Sequence, residues 1–311
     1  MSPEGLGRAA LSLTVVGSIA FDSVRTPFGE RERMLGGSAI HFSLAAGLFT
    51  DVRVVGPVGD DFGEAEFDLL SGRGIETSDI IRIPGGETFF WRGSYGFDLN
   101  TANTEETRLN VFGDFDPELS ADSAAASTLF LANIQPEVQR RVRSQCPGAG
   151  LAALDSMNLW IESAREELVG AIGEVDCVLI NDAEVRQLSG EPNLARAARS
   201  VIEMGPRTVV TKLGEYGAAL FTSDGFFAVP GFPLEDVRDP TGAGDSFAGG
   251  FLGYLDAVGG EPDEADLRLA MGYGTVLASF NVEMFGCERV ASLERDEIEA
   301  RLAELRQMTG L

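Results

Sequence analysis

The sequence predicts an α/β fold built on a mainly parallel sheet, and three observations carry that expectation. Short apolar, β-branched runs alternate with segments of helical period, the pattern of βαβ units. The 311 residues, with 44% hydrophobic content, suffice for a large buried core. Two segments break the rhythm with extended residues, and together they predict a small antiparallel flap standing off the main sheet. No internal repeat or low-complexity linker divides the chain. The expected organisation is therefore one domain over residues 1–311, with a lid formed by about 22–35 and 87–112.

Taken in order, Leu11–Ile19 reads as the first strand, and the polar, extended Asp22–Leu35 joins it to a helix over Ala39–Phe49. Val52–Val58 is the next strand and Phe62–Arg73 the next helix. In the second interruption, Thr88–Phe97 and Thr107–Phe112 read as strands separated by a polar stretch. Strands are then expected at Leu129–Ile134, Leu151–Asp155, Val178–Asn181 and Thr208–Lys212. Helices are expected at Pro136–Gln145, Ile161–Ile172 and Leu194–Met204. Gly217–Thr222 and Phe226–Val229 flank Asp224-Gly225, a hairpin turn whose residues tolerate positive φ, which places antiparallel strands at one sheet edge. Helices over Ala243–Val258 and Leu293–Met308 complete the chain.

Composition excludes several function classes. With 49 acidic against 24 basic residues, the formal net charge is −25, a surface that repels nucleic acid and anionic lipid. Met1–Ala10 has one arginine and no apolar core, so it does not read as a signal peptide. No run of eighteen apolar residues predicts a membrane span. Cys146, Cys177 and Cys287 are far apart and odd in number, reading as reduced, buried thiols of a cytoplasmic protein. His41 is the only histidine, which argues against zinc.

The chemistry centres on Asp239-Pro240-Thr241-Gly242-Ala243-Gly244-Asp245-Ser246-Phe247. Its two glycines let the backbone turn tightly and gather its amides into a small volume. The helix beginning there adds its N-terminal partial charge, giving an anion hole for phosphate oxygens. Asp245 in the first turn can take a proton from an attacking hydroxyl. On the turn alone, a glycine-rich bend with an acidic helix cap explains the residues equally well.

This stretch closely resembles the D-T-x-G-A-G-D signature of the pfkB (ribokinase-like) carbohydrate kinase family. Other landmarks follow in order: Gly36-Gly37 with Ser38–Gly47, Asn181-x-x-Glu184, and the strand and glycine turn V-V-T-K-L-G-E-Y-G over Val209–Gly217. The resemblance spans about Val15–Gly286. It implies a Rossmann-type three-layer sandwich, a small antiparallel β lid, and transfer of the ATP γ-phosphoryl group to a hydroxyl of a small sugar or polyol, with Mg²⁺. Asp245 matches the family's general base, and Gly242, Ala243 and Gly244 its anion hole. Asp22, Gly36 and Gly37 match substrate-binding positions. Asn181 and Glu184 match the motif that organises Mg²⁺ and phosphates through water, and a helix N-cap at Asn181 is compatible with that role. Thr211, Gly214, Gly217, Thr241 and Asn281 fall at nucleotide-binding positions. Asp239 and Ser279–Gly286 resemble a region where some relatives hold a monovalent cation, which adds K⁺ as a candidate.

The family often has asparagine where this chain has His41, so His41 is either a substrate contact or a side chain packed near the lid. Lys212, the only lysine, excludes a P-loop and is either a phosphate contact or an exposed strand end. In the flap, Phe89, Trp91, Tyr95 and Phe97 alternate with Phe90, Arg92, Ser94 and Gly96, which makes one face of such a strand aromatic. Arg92, Arg108 and Asn110 are candidate substrate contacts, the arginines suited to an acceptor bearing phosphate or carboxylate. Relatives pair through this lid, which makes a homodimer the expectation. A nucleoside kinase of the same fold is the alternative reading, and a catalytically silent sugar- or nucleotide-binding protein is a further one. A Rossmann dehydrogenase is disfavoured, since no G-x-G-x-x-G follows the first strand.

Overall fold

Strands that are apolar on both faces need a layer of helices on each side, and this requirement organises the chain. The computed structural model describes residues 12–310. Met1–Ala10 and Leu11, the start of the expected first strand, lie outside the described residues, as does residue 311. The strands among the described residues are, in chain order, β1 (Ser12–Val16), β2 (Ala20–Thr26), β3 (Gly29–Gly36), β4 (Asp51–Val58), β5 (Ile80–Arg82), β6 (Phe89–Tyr95), β7 (Ala102–Arg108), β8 (Thr128–Leu131), β9 (Leu151–Leu154), β10 (Cys177–Asn181), β11 (Thr208–Lys212), β12 (Ala218–Thr222) and β13 (Phe226–Val229).

Nine of these form a sheet ordered β13-β12-β11-β10-β9-β8-β1-β4-β5. The pairs from β11 to β5 are parallel, and β12 and β13 form the antiparallel edge set by Asp224-Gly225. The order reverses at β1, with β4 on one side and β8 on the other. Leu13, Val15 and Phe130 face one core layer, whereas Val16, Leu129 and Leu131 face the other. The first layer packs beneath the helices Ser38–Ala46, Ala243–Val258, Glu264–Asn281 and Arg295–Thr309. The second packs beneath Pro136–Gln145, Arg165–Ile172, Asp182–Ser189 and Leu194–Ile202. This is a ribokinase-like α/β sandwich. Among the described residues, no helix is long and apolar enough to cross a membrane, and the three cysteines are buried and unpaired.

The remaining strands make a second sheet, ordered β3-β2-β6-β7, standing over the main one. Its outer pairs are antiparallel and its middle pair, β2 with β6, is parallel. The expected strand at Thr107–Phe112 is displaced. β7 occupies the stretch read as polar connection, and Asn110–Phe112 is a turn of 3₁₀ helix. Every residue of β7 is exposed, so no alternation of apolar and polar residues announced it. The expected Ile161–Ile172 helix is two, Asn158–Ser163 and Arg165–Ile172, broken at Ala164. An 18-residue helix over Glu264–Asn281 had no counterpart in the expectations.

Two helices approach closely beside the Gly242 turn. A Cβ on Gly249 would overlap Phe42 O and lie 2.8 Å from Ala45 Cβ, so Ala243–Val258 meets Ser38–Ala46 nearly backbone to backbone. Gly249→Ala should therefore cost about 1–3 kcal/mol by overpacking, seen as a Tm lower by roughly 2–10 °C. An unchanged Tm would mean that the helix pair is slack.

Candidate active site

The carboxyl ends of parallel strands are where ligands bind in open α/β sheets. Here those ends present Asp155 just after β9, Asn181 at the end of β10 and Lys212 at the end of β11. The N-terminus of the Ala243–Val258 helix points its first turn at the same place. Gly242 takes φ 76°, and a Cβ there would run into the His41 ring. Only glycine makes this turn without strain.

Asp245 is the third residue of that helix. A Cβ on Gly244 would stand 3.0 Å from Lys212 Nζ, so the missing side chain makes room for the cation beside the helix start. Lys212 Nζ donates to Asp155 Oδ2 at 2.9 Å, with the two side chains 16% and 6% exposed. Burial alone would lower the Lys212 pKa, but Asp155, Glu184 and Asp245 together hold it above its ordinary value. Burial, reinforced by the Asp155 charge, pushes the Asp245 carboxyl well above the usual carboxylate range, against the pull of Lys212. The same two causes, in the same order, raise Glu184.

Glu184 and Asn181 form a reciprocal cap on the Asp182–Ser189 helix, with Asn181 N donating to Glu184 Oε2 and Glu184 N to Asn181 Oδ1, both at 2.8 Å. One Glu184 carboxylate oxygen thus orders the helix end and the other is left over. Among the described residues no three acidic, histidine or cysteine side chains gather into a cage of metal ligands. The donor set fits Mg²⁺, which keeps most of its waters and takes few carboxylates.

On the lid side, Gly37 has φ 92° and its N–H lies 3.4 Å from Asp22 Oδ2. Burial pushes the Asp22 carboxyl up to about 7, the Gly37 N–H opposing, with Asp239 and Asp245 adding their charge. Asp22 pairs with Trp91 across the parallel β2–β6 ladder, so both project to the same face, as does Tyr95 two pleats on. Tyr95 Oη accepts a hydrogen bond from Thr241 Oγ1 at 3.2 Å. Burial, more than the nearby carboxylates Asp239, Asp22 and Asp245, drives the Tyr95 phenol pKa up despite that bond.

Several expected site residues are placed differently. Arg92 and Arg108 lie on the opposite lid face from Trp91: Arg108 pairs with Phe90 and stacks over its ring, and Arg92 lies over the same ring. Asn110 spends its amide on Thr88 O at 2.8 Å. His41 is buried beneath the anion-hole turn, its Nδ1 3.1 Å from Asn281 Oδ1. Asn281 is also fully buried. It donates to Thr241 O at 2.7 Å and accepts from Ser246 Oγ at 2.9 Å, which leaves it under the turn and away from a nucleotide. Because the Asn281 nitrogen is committed to Thr241, its oxygen faces His41, and Nδ1 carries the proton. Burial lowers the His41 pKa and keeps the ring neutral, against Asp239 and the Asn281 bond. Thr211 is fully buried with an unpartnered hydroxyl, and Gly217 packs against the Val229–Gly231 backbone. Asp239 accepts Thr241 N and Gly286 N at 2.9 Å each, pinning the turn to the loop after Asn281.

Sequence reasoning missed Asp155 and Tyr95. Asp155 was readable as an acid directly following a buried apolar strand, a position that faces ligand in this fold class. Tyr95 was seen only as one of an aromatic set.

Asp245 at a helix start, the Lys212–Asp155 pair and the Asp22 carboxyl on the lid side thus converge on one cleft. The chain belongs to the pfkB family of carbohydrate kinases, whose family model matches residues 12–293. It is 30% identical over 271 residues to a cytidine kinase of Thermococcus kodakarensis, covering 84% of this chain and 94% of that protein. It is also 30% identical over 262 residues to a 2-dehydro-3-deoxygluconokinase of Thermoproteus tenax, covering 77% and 78% respectively. A solved Escherichia coli putative ribokinase II in complex with ATP and Mg²⁺ superposes with a TM-score of 0.75 at 20% identity, covering 94% of this chain and 99% of that one.

The raised carboxylates have a consequence for stability. Asp22, Glu184 and Asp245 hold their protons more tightly folded than unfolded, so stability is full below the ordinary carboxylate pKa and is lost as pH rises toward neutrality. Asp245→Asn removes one of these charges and should raise the Tm of the ligand-free protein by about 2–4 °C at pH 8, with little change at pH 4.5. A lower Tm at pH 8 would contradict the buried-charge account.

Proposed function

We propose that this chain uses ATP to phosphorylate a hydroxyl of a small, uncharged sugar or polyol. One kinase domain would span residues 1–311, closed by its lid. The observation that carries this reading is the half-buried Asp245 carboxyl in the first turn of the Ala243–Val258 helix, beside Lys212 and with its pKa raised toward neutrality. A base of that strength takes a proton efficiently near neutral pH, whereas an ordinary aspartate is too weak.

In this reading the acceptor lies against Asp22 and the Gly36-Gly37 backbone, with one hydroxyl directed at Asp245. Asp245 takes the hydroxyl proton as the oxygen bonds to the γ-phosphorus, and the bond from that phosphorus to the bridging oxygen breaks, releasing ADP. The amides of Gly242 and Gly244 stabilise the charge on the transferred group, aided by Lys212; the expected Ala243 amide is instead spent within the turn, on Pro240 O at 3.2 Å. Asp155 and Glu184 would hold Mg²⁺ through water, and the ion would neutralise charge on the phosphates. Thr241 and Gly214 flank the nucleotide, and Asn181 keeps Glu184 in place through the cap. Potassium enters the reading at the Asp239–Gly286 loop, as an activator detectable by exchange against Na⁺. The acceptor side argues for a neutral molecule, since Asp22 and Asp245 border it, the buried Asp239 adds its charge behind them, and Arg92 and Arg108 lie on the other lid face.

A nucleoside acceptor is the second reading. It is favoured by Trp91, a flat ring on the same lid face as Asp22, and it fits the likeness to a cytidine kinase. A dimer through the lid belongs to either reading, with β3 and β7 as the free sheet edges, and is measurable by light scattering.

The deciding assay is ADP release with Mg²⁺·ATP against sugars, polyols and nucleosides. Turnover with one acceptor is expected, and Asp245→Asn should lower its kcat by roughly 10²–10⁴. Full turnover in that variant would remove the base assignment. Glu184→Gln should raise the Mg²⁺ needed for half-maximal rate about tenfold, and an unshifted Mg²⁺ titration would remove its role.

A further inference from the structure

The tip of the lid touches the molecule at two separate places in the cleft, and neither contact is needed to hold the lid sheet together. The first is Tyr95, the last residue of β6, whose phenol oxygen accepts from Thr241 Oγ1 at 3.2 Å. Thr241 immediately precedes the Gly242 turn, and its carbonyl is held from below by Asn281. Tyr95 therefore completes a clamp on this residue, from the lid above to the helix beneath. The second contact is Asn100, in the loop between β6 and β7. A Cβ on Gly214 would lie only 2.6 Å from Asn100 Oδ1, so the asparagine amide rests directly on the glycine turn after β11.

These two contacts fall on opposite halves of the cleft. Thr241 borders the phosphate-transfer turn, and Gly214 borders the proposed nucleotide side. The lid arises from the acceptor side, where β2 carries Asp22. A hairpin rooted beside the acceptor and resting on the nucleotide turn senses both ligands. The phenol oxygen is a selective link: its ring is half-buried on the site face, and it accepts from Thr241, which leaves its own O–H to donate toward the carboxylate-lined pocket.

We propose that Tyr95 is a positioning residue that docks the lid on the anion-hole turn, and that Asn100 against Gly214 makes this docking respond to bound nucleotide. This rests on the phosphotransfer reading above. Occupation of the nucleotide side orders the Gly214 turn, the turn holds Asn100, and the hairpin brings Tyr95 onto Thr241 and Asp22 into place around the acceptor. Acceptor binding is then strengthened by nucleotide without any direct contact between the two ligands, and by linkage the acceptor strengthens nucleotide binding equally.

The test uses Mg²⁺·ADP as probe and needs no acceptor. Amide hydrogen exchange is followed across Phe89–Arg108 with and without ADP, and ADP affinity is measured separately by calorimetry. In the wild-type protein, ADP should slow exchange in this segment about two- to tenfold, the range one hydrogen bond of ordinary net strength provides. Tyr95→Phe keeps the ring and removes the oxygen, and it should abolish most of that slowing while weakening ADP by no more than about the same two- to tenfold that linkage allows. Asn100→Gly should do the same. A side chain that merely props up the lid would speed exchange equally with and without ADP, and that result would overturn the proposal, as would wild-type protection in both variants. If calorimetry detects no ADP binding at all, the phosphotransfer reading itself fails, and the coupling falls with it.

Discussion

The cleft is governed by the environment of one lysine. Asp155, Glu184 and Asp245 all act on Lys212, in a chain whose formal net charge is −25 and which has no other lysine. Opposite charges a few ångströms apart attract strongly when water is scarce. The Asp155 pair at 2.9 Å therefore offsets part of the cost of burying the group, while the other two carboxylates are left under-compensated. That imbalance sets the properties of the site. Together with burial, the larger cause, it lifts the Asp245 pKa toward neutrality, and it leaves the cleft short of positive potential. The amides and helix N-terminus at Gly242–Gly244 supply some of it. In the proposed reaction a divalent ion, held through water by Asp155 and Glu184, would supply the remainder.

Such a turn holds its shape only if its underside is fixed. Asn281 performs that function from the end of the Glu264–Asn281 helix, bonding Thr241 O, Ser246 Oγ and His41 Nδ1 together. The His41 ring fills the space against Gly242, which explains both the neutral imidazole and the need for glycine. A buried, connected polar network of this kind fixes one geometry where an apolar filler would allow several. Its one loose end is His41 Nε2, which is buried without a partner. The helices bearing His41 and Ser246 are packed close through Gly249, so the Gly242 turn is braced from two directions.

What the sequence made legible follows from how locally each feature is encoded. The helix Ala243–Val258 and the strand Thr208–Lys212 were readable to the residue, because a glycine turn and an apolar run mark their ends. The helix Glu264–Asn281 was missed, although Asp263 and Asp266 cap it reciprocally at 2.9 and 3.1 Å. Aspartate in place of the usual Glu or Gln at the third position hid the motif. Among site residues, those fixed by backbone chemistry were the easiest to place. Roles that depend on which way a side chain points were not legible. Arg92 and Arg108 fell on the far lid face once β2 and β6 paired in register, and His41 and Asn281 went beneath the turn. Those outcomes are tertiary, and no local pattern contains them.

The arrangement also explains why the cleft lies within so large a core. Three carboxylates with raised pKa values each favour the unfolded chain at neutral pH, where they would ionise freely in water. A small domain would be strongly destabilised by that load. Here two extensive apolar layers flank the sheet, and the acids cluster at the strand ends beyond them. Stability gained in the interior offsets strain at the rim, the usual relation between a fold and a site that must be reactive. The polarity is then fixed by topology: only at the carboxyl ends of β9, β10 and β11 can Asp155, Asn181 and Lys212 meet the first turn of the Ala243–Val258 helix, whose early amides lie outside the helical ladder.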